Sequence, residues 1–466
     1  MKHVHLIGIG GAGLSAIARV LLERGYTVSG SDRTASPLFD ALTAAGVKTF
    51  IGHAPEHVAG ADIVVRSSAI SNDNPEVLAA YNAGIPVIKR ADFLSELTSG
   101  KETLAIAGSH GKTTTTAMLI WVMENLGLHP SFISGGIVNQ LGCNARSGSG
   151  PYFIIEADEY DYMFLGLSPK VAVITNVEHD HPDCFPTENE YFQAFSDFLD
   201  CVQTDGLAFI CRDDPNARTL MDSHLDGSRR ILGYGLSKDA YYQADDIHFV
   251  DGLPQFTFQQ RDSSGAVNQL GDVRLNVPGQ HNVVNATAVL SIIHQLGLPI
   301  DEAITALMTF AGAGRRFEIL GKAKGITIID DYGHHPTEIG ATLQAAKSRF
   351  PGRRIWAVWQ PHTYTRTRTL ENAFITSLSQ ADRVVITKIY AAREQDPGYS
   401  PEKIAQALPD AMAVYLPEDQ AVIKFLMDNL STGDVVIIFS AGDATQISQA
   451  VFDLLKFDAV SKETKS

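Results

Sequence analysis

Two glycine-rich loops, each wedged between an apolar run and an amphipathic segment, constrain this chain more than any other feature. Gly8-Ile9-Gly10-Gly11-Ala12-Gly13 follows the apolar run 4–9 and opens a helical pattern over 14–24. Gly108-Ser109-His110-Gly111-Lys112-Thr113-Thr114 follows the run 104–107 and opens a helical pattern over 112–126. A strand, a tight glycine turn and a helix, in that order, belong to parallel sheets built from crossover units. Glycines permit the turn, and backbone N–H groups at a helix N-terminus face an incoming phosphate. Two such loops predict two phosphorylated ligands.

The remaining texture extends this plan. Further strands are predicted at 27–30, 62–66 and 86–88, then at 152–157 and 171–176, with helix over 281–310. Residues 240–277 differ, with short alternating runs such as Gln255-Phe256-Thr257-Phe258 between glycine-rich turns, which predicts an antiparallel insert. From about Gly312, five apolar runs recur at 326–330, 355–359, 383–389, 413–416 and 434–439. Ile339, Leu343 and Ala346 line one helical face between the first two. The expected fold is α/β in three domains. They are a Rossmann-like unit over 1–98, a P-loop-type central unit with the antiparallel insert over 99–312, and a Rossmann-like unit over 313–466. A length of 466 residues suits about three domains.

Composition excludes several classes. With 37 basic and 53 acidic residues the formal charge is −16, which repels a nucleic-acid backbone. Small anions remain compatible, because helix N-termini and a few cations dominate at short range. The N-terminal apolar run is too short for a signal peptide, and no window has the 18 or so apolar residues of a membrane span. Cys143, Cys184, Cys201 and Cys211 form no C-x-x-C pair, so they read as free thiols of a cytoplasmic protein.

The first loop says only that a diphosphate binds nearby. Asp32, ending the second strand, is placed to accept from a ribose hydroxyl, and both NAD and a UDP-sugar fit. A bare strand-to-helix turn is the plain alternative. The second loop lacks the first glycine of G-x-x-x-x-G-K-[ST], since Ile106 stands there, but its physics is intact. Lys112 reaches β- and γ-phosphate oxygens, and the Thr113 hydroxyl ligates Mg²⁺. Glu156-Ala157-Asp158-Glu159-Tyr160-Asp161 follows a strand of the same domain, which favours Glu156 as a metal carboxylate over a solvated acidic loop. In Asn176-Val177-Glu178-His179-Asp180-His181-Pro182-Asp183, H-x-H-x-D admits three readings: a zinc hydrolase, a His181 ligand to catalytic Mg²⁺, or a capping loop. Cys184 stands where the hydrolases carry His, and the P-loop context favours Mg²⁺. Asp330-Asp331-Tyr332-Gly333-His334-His335 and Gln360-Pro361-His362-Thr363-Tyr364-Thr365-Arg366 end strands of the third domain, and Arg315-Arg316-Phe317-Glu318 lies at its junction with the second. Ligands of open α/β sheets sit beyond such strand ends.

The ordered set GIGGAGLS, GSHGKTTT, EADEYD, TNVEHDHPD, PGQHNVVNA, GRRFE, DDYGHH and QPHTYTRT resembles the Mur ligase family. The resemblance spans nearly the whole chain and is specific as a combination. It implies three domains that bind a UDP-sugar, ATP and an amino acid in turn. It implies ATP-dependent ligation of L-alanine to the lactyl carboxylate of UDP-N-acetylmuramate through an acyl phosphate, releasing ADP and phosphate in peptidoglycan precursor synthesis. By resemblance, Gly8, Gly10, Gly11, Ala12, Gly13, Asp32, Ser67 and Ser68 serve the UDP-sugar. Gly108, Ser109, His110, Gly111, Lys112, Thr113 and Thr114 hold the ATP phosphates, His281, Asn282 and Asn285 lie near adenine, and Arg316 and Asp331 meet the phosphate tail or ribose. Thr113 and Glu156 would hold the ATP-linked Mg²⁺ and His181 a second one, while His334 and Arg366 hold the L-alanine carboxylate. Thr363 stands where some relatives carry Arg.

Partners expected are UDP-N-acetylmuramate and L-alanine, with no nucleic acid and no membrane insertion, in a monomer or homodimer. Rival readings are a sister ligase that adds a tripeptide to the same sugar nucleotide, an NAD-dependent oxidoreductase, a zinc hydrolase and a non-catalytic sugar-nucleotide sensor.

Overall fold

In the computed structural model, which describes residues 2–224, 229–262, 264–409 and 412–463, three separate sheets carry the chain. The first has five parallel strands in the spatial order Lys48–Ile51, Thr27–Asp32, His3–Ile7, Ile63–Arg66, Val87–Lys89. The order reverses between His3–Ile7 and Ile63–Arg66, so a crevice opens beyond the C-terminal ends of those two strands. The glycine loop 8–13 leaves one of them and Ser67-Ser68 leaves the other.

The second sheet has ten strands. Its middle is parallel, and Glu102–Ala107 lies between Val171–Ile174 and Tyr152–Glu156. The phosphate loop, the acidic segment after 156 and the His181 segment therefore leave three adjacent strands at the same sheet edge. At one end, Tyr242–Val250, Leu253–Arg261 and Val267–Arg274 form the expected antiparallel insert. The helical stretch after it is two helices, Gln280–Gln295 and Ile300–Met308, divided by the Gly297–Pro299 turn. Strands at Ser131–Val138, Cys143–Arg146, Leu207–Cys211 and Arg230–Gly235 were not foreseen. Three of the four carry glycine or short polar residues that dilute the apolar signal.

The third sheet adds an antiparallel edge strand, Glu318–Ala323, to the five expected ones. A register shift between Ile319 and Gly321 breaks its alternation, which is why its period is hard to read. The run expected over 383–389 pairs only as Arg383–Ile386. Ile326–Asp331 and Ile355–Trp359 both flank Val435–Phe439, so the DDYGHH and QPHTYTRT segments emerge one strand apart.

The cores are unevenly divided. One apolar cluster runs from Val4, Leu14 and Ile17 of the first unit through Phe93, Leu94 and Leu97 to Phe153, Phe164 and Phe195 of the second. The third unit buries two clusters of its own, on the two faces of its sheet, around Trp359 and Val436. Its contacts with the central unit at the shared cleft are polar.

Candidate active site

The phosphate loop is built by exclusion of side chains. Gly108 has φ +130, and a Cβ there would lie 1.9 Å from the Thr175 hydroxyl. Gly111 has φ +82, and a Cβ would meet Asn285 at 2.8 Å. Backbone geometry and crowding both demand glycine. Ser109 is buried; its hydroxyl donates to the Glu178 carbonyl at 2.7 Å and accepts the Glu178 N–H at 2.8 Å. The helix Lys112–Asn125 starts directly on the loop, with Thr114 in its first turn. Asn282 and Asn285, on the helix Gln280–Gln295, are buried behind the loop, while His281 is exposed at its rim.

Lys112, Arg316, Arg366 and His110 are each paired with a carboxylate. The Lys112 ammonium folds back on the Gly108 carbonyl and lies 2.9 Å from Glu159. Burial works against that charge, yet Glu159, Asp158 and Glu156 raise its pKa above the ordinary lysine value. Glu156 accepts from the Thr113 hydroxyl at 2.9 Å and from the Gly135 N–H at 2.6 Å, and burial pushes its carboxyl up. His181 stands 3.7 Å from Glu159 and 3.8 Å from Asp180. Thr113 and Glu156 bring a hydroxyl and a carboxylate together, donors that suit a hard divalent cation keeping some water, and His181 offers an imidazole beside Glu159.

The third unit closes the cleft. Arg366 sends its Nε and Nη2 to one oxygen of Asp180, at 3.0 and 2.6 Å, and both side chains are about 5% exposed. Burial opposes charge on Asp180, but His181 and Arg366 hold its carboxyl well below the usual range. His334 lies 4.0 Å from Asp180. Burial, with Arg366 nearby, keeps its ring neutral. His110 bonds Glu178 at 2.9 Å and faces Glu338 at 3.4 Å. Burial works against its charge, but those two carboxylates push its pKa to about 10. Arg316 pairs with Glu338 at 3.3 Å and points at the Thr113 hydroxyl from 3.5 Å. Asp331 is differently engaged: its oxygens accept the Phe317 and Gly333 N–H groups at 2.8 and 2.7 Å, so it shapes the two loops around the cleft.

At the first sheet, Gly10 donates its N–H to Asp32 at 2.9 Å, and the other Asp32 oxygen accepts from Arg33. Asp32 thus braces the glycine loop. Ser67 donates its N–H to the Ile7 carbonyl and packs on Gly8, and Ser68 beside it is exposed. Arg90 presses against Gly13, leaving no room for a Cβ, and faces Asp158 at 3.8 Å, joining the first cleft to the second.

Six of the eleven described non-glycine residues with positive φ lie in the segments around the cleft. Asp161, Tyr162, His181, Arg315, Phe317 and Thr363 are non-glycine residues with φ between +47 and +63, and all six flank the cleft. Such conformations persist where surrounding structure holds them, typically at functional sites. The structure thus gathers the residues expected at the ATP and amino-acid subsites into one cleft, with the glycine loop, Ser67 and Ser68 in the adjoining one. The H-x-H-x-D run does not converge on a zinc site, because His179 turns away to the Phe185 carbonyl at 2.8 Å. His110, Glu178 and His335 bring donor atoms within 4.8 Å of one another. Held by two carboxylates, the His110 ring carries a proton rather than a metal. Sequence reasoning missed Arg90, Glu159, Asp180 as a partner of Arg366, and Glu338. Only their nearness to motif residues hinted at them.

Known proteins match along the full length. The family model "Mur ligase family, catalytic domain" covers residues 3–102, "Mur ligase middle domain" 106–293 and "Mur ligase, glutamate ligase domain" 315–442. A UDP-N-acetylmuramate--L-alanine ligase of Variovorax paradoxus is 39% identical over 476 aligned residues, 100% of this chain and 97% of the relative. Among solved structures, the UDP-N-acetylmuramate-alanine ligase MurC of Thermotoga maritima superposes with a TM-score of 0.82 at 28% identity, covering 97% of this chain and 99% of that one. A murein peptide ligase of Psychrobacter arcticus superposes with a TM-score of 0.74 at 26% identity, covering 98% and 99%. Sequence, domain plan and fold agree, and the chain belongs to the Mur ligase family.

Proposed function

We propose that this chain joins L-alanine to the lactyl carboxylate of UDP-N-acetylmuramate in an ATP-dependent reaction of peptidoglycan synthesis. The observation that carries the reading is the cleft between central and C-terminal domains. There Lys112, Thr113, Glu156 and His181 from one side meet Arg316, His334 and Arg366 from the other.

A carboxylate is a poor electrophile, and phosphorylation gives it a leaving group. A lactyl oxygen attacks the γ-phosphorus and ADP leaves. The alanine amine then attacks the acyl carbon and phosphate leaves. Lys112, Arg316 and the protonated His110 supply fixed positive charge where phosphoryl oxygens gain negative charge. We assign Thr113 and Glu156 to one Mg²⁺ and His181 to a second, which when bound would neutralise the same oxygens. The neutral His334 offers a hydrogen bond without charge, so Arg366 provides the attraction for the amino-acid carboxylate, shared with Asp180. Residues 1–98 take the UDP-sugar, at the crevice of Gly8–Gly13, Ser67 and Ser68. Burial of the cleft between two domains excludes water from the acyl phosphate.

The test is phosphate release with ATP, Mg²⁺ and UDP-N-acetylmuramate, with and without L-alanine. Release that requires both the sugar nucleotide and alanine supports the reading. The full-length likeness to a murein peptide ligase makes a peptide the second acceptor to try. Release with L-alanyl-D-glutamyl-diaminopimelate but not alanine would replace the first reading.

A further inference from the structure

We propose that Glu338 is a positioning residue for phosphoryl transfer, a mostly buried carboxylate of the C-terminal domain that fixes Arg316 against His110 of the central domain's phosphate loop. Glu338 is the third residue of the helix Pro336–Arg349 and closes a capping box with His335. Its two oxygens divide the work. Oε2 accepts the N–H groups of His334 and His335 at 3.0 and 3.3 Å, which secures the helix start beside the amino-acid histidine. Oε1 faces across the domain boundary, 3.3 Å from Arg316 Nη1 and 3.4 Å from His110 Nδ1.

The second set of contacts exceeds what a helix cap requires. A threonine or glutamine system would cap as well without a charge. The side chain is 11% exposed, so its charge acts in a poorly solvated space. His110 Nδ1 is buried with no hydrogen-bond partner, and the Glu338 charge is what faces it. Arg316 leans over the Tyr332 ring, with its guanidinium carbon 4.9 Å from the centroid, and its other arm reaches toward Thr113. Remove the Glu338 charge and His110 keeps Glu178, but Arg316 loses the carboxylate that aims it. Both cations would still attract ATP, but the aim of Arg316 at the transferring phosphoryl group would be lost. The inference rests on the ligase reading above.

The experiment compares wild type with Glu338→Gln and Glu338→Asp. Gln keeps one oxygen for the two capped N–H groups, so the helix start is retained while the charge that faces the two cations goes. For Glu338→Gln, kcat is expected to fall about 10- to 100-fold, in the range of lost preorganised electrostatic contacts. KM for ATP should stay or fall, because removing a negative charge beside the phosphates does not weaken their attraction. The melting temperature should fall somewhat, since a poorly solvated charge pair loses one partner, while UDP-sugar affinity should hold. Glu338→Asp keeps the charge on a shorter arm and should recover part of kcat. A kcat within about twofold of wild type overturns the proposal, as does a rise in KM for ATP that tracks a fallen melting temperature. If wild type shows no alanine-dependent phosphate release, the ligase reading fails separately. Glu338 is then judged by calorimetry with a non-hydrolysable ATP analogue. Equal or tighter binding by Glu338→Gln upholds its role, and binding about tenfold weaker overturns it.

Discussion

Replacing Asp331 by asparagine is expected to stabilise the C-terminal domain at alkaline pH and to lose most of that gain in acid. Asp331 is 4% exposed at the end of the strand Ile326–Asp331. Burial pushes its carboxyl up from 3.8 to about 6, with Arg316 and the Phe317 and Gly333 N–H groups only partly opposing it. A carboxyl whose folded pKa lies above its unfolded one favours folding when protonated. Its cost is therefore absent below about pH 4, grows as pH rises, and is complete above about pH 6. At ~1.4 kcal/mol per unit, a shift of about two units costs ~3 kcal/mol at pH 8 and ~1.5 kcal/mol at pH 5. Asparagine carries no charge at either pH but offers one acceptor oxygen for two backbone N–H groups, a loss of about 1 kcal/mol. The net gain is ~2 kcal/mol at pH 8 and ~0.5 kcal/mol at pH 5. For a domain of about 150 residues, each kcal/mol moves the melting temperature by roughly 2–4 °C. Scanning calorimetry of the full chain at both pH values reads the shift of the C-terminal transition. An equal shift at pH 5 and pH 8, or destabilisation at pH 8, would refute the reasoning. Activity is expected to fall in the same variant, because the residue is kept at a cost for the shape of the 315–317 and 331–333 loops.

Three other outcomes follow from the same geometry. Lys112→Met should lower phosphate release by about a thousandfold or more while leaving UDP-sugar binding, measured by calorimetry, unchanged, because the two clefts leave different sheets. Glu76 is fully buried under the first sheet. Burial raises its pKa, but His5, Ser31 and His57 outweigh that and lower it to about 2. A depressed acid stabilises the fold above its unfolded pKa, so Glu76→Gln should cost ~3 kcal/mol in urea unfolding at pH 7, shrinking only as pH falls from about 4.5 toward 2. Thr363 is β-branched with φ +63, so Thr363→Gly should raise the melting temperature through relief of about 1–3 kcal/mol of strain; an unchanged or lower value would show the conformation to be unstrained.

The chemistry was legible where local sequence imposes local geometry. A loop such as Gly108–Lys112 sits between strand and helix because of its own residues, and strand-end placement follows directly. Pairing across the sheet was not legible. Nothing local says that Glu102–Ala107 lies between Val171–Ile174 and Tyr152–Glu156, and that order is what brings three motif segments together. Contacts across the domain boundary were hidden for the same reason. Asp180 and Arg366 are 186 positions apart, and neither alone differs from a surface charge. Asp32 carries a contact that its position alone does not announce. Its position at a strand end suggests a ribose contact; in the structure one oxygen accepts the Gly10 N–H of the glycine loop and the other the Arg33 N–H.

The division of the apolar cores has a consequence for how such a chain can be recombined. The first two units share one buried cluster, with Phe93 and Leu97 of one packed among side chains of the other. Cutting between them would expose that surface on both sides. The third unit keeps its own cores and meets the cleft through charges. Charged surfaces can part and meet again in water without exposing oil-like surface. The chain is thus modular at one seam only. Under the proposed function, exchange of the piece after that seam between relatives would change the acceptor side of the cleft while the nucleotide-binding body stays whole, a natural cut for altering which amino acid is accepted.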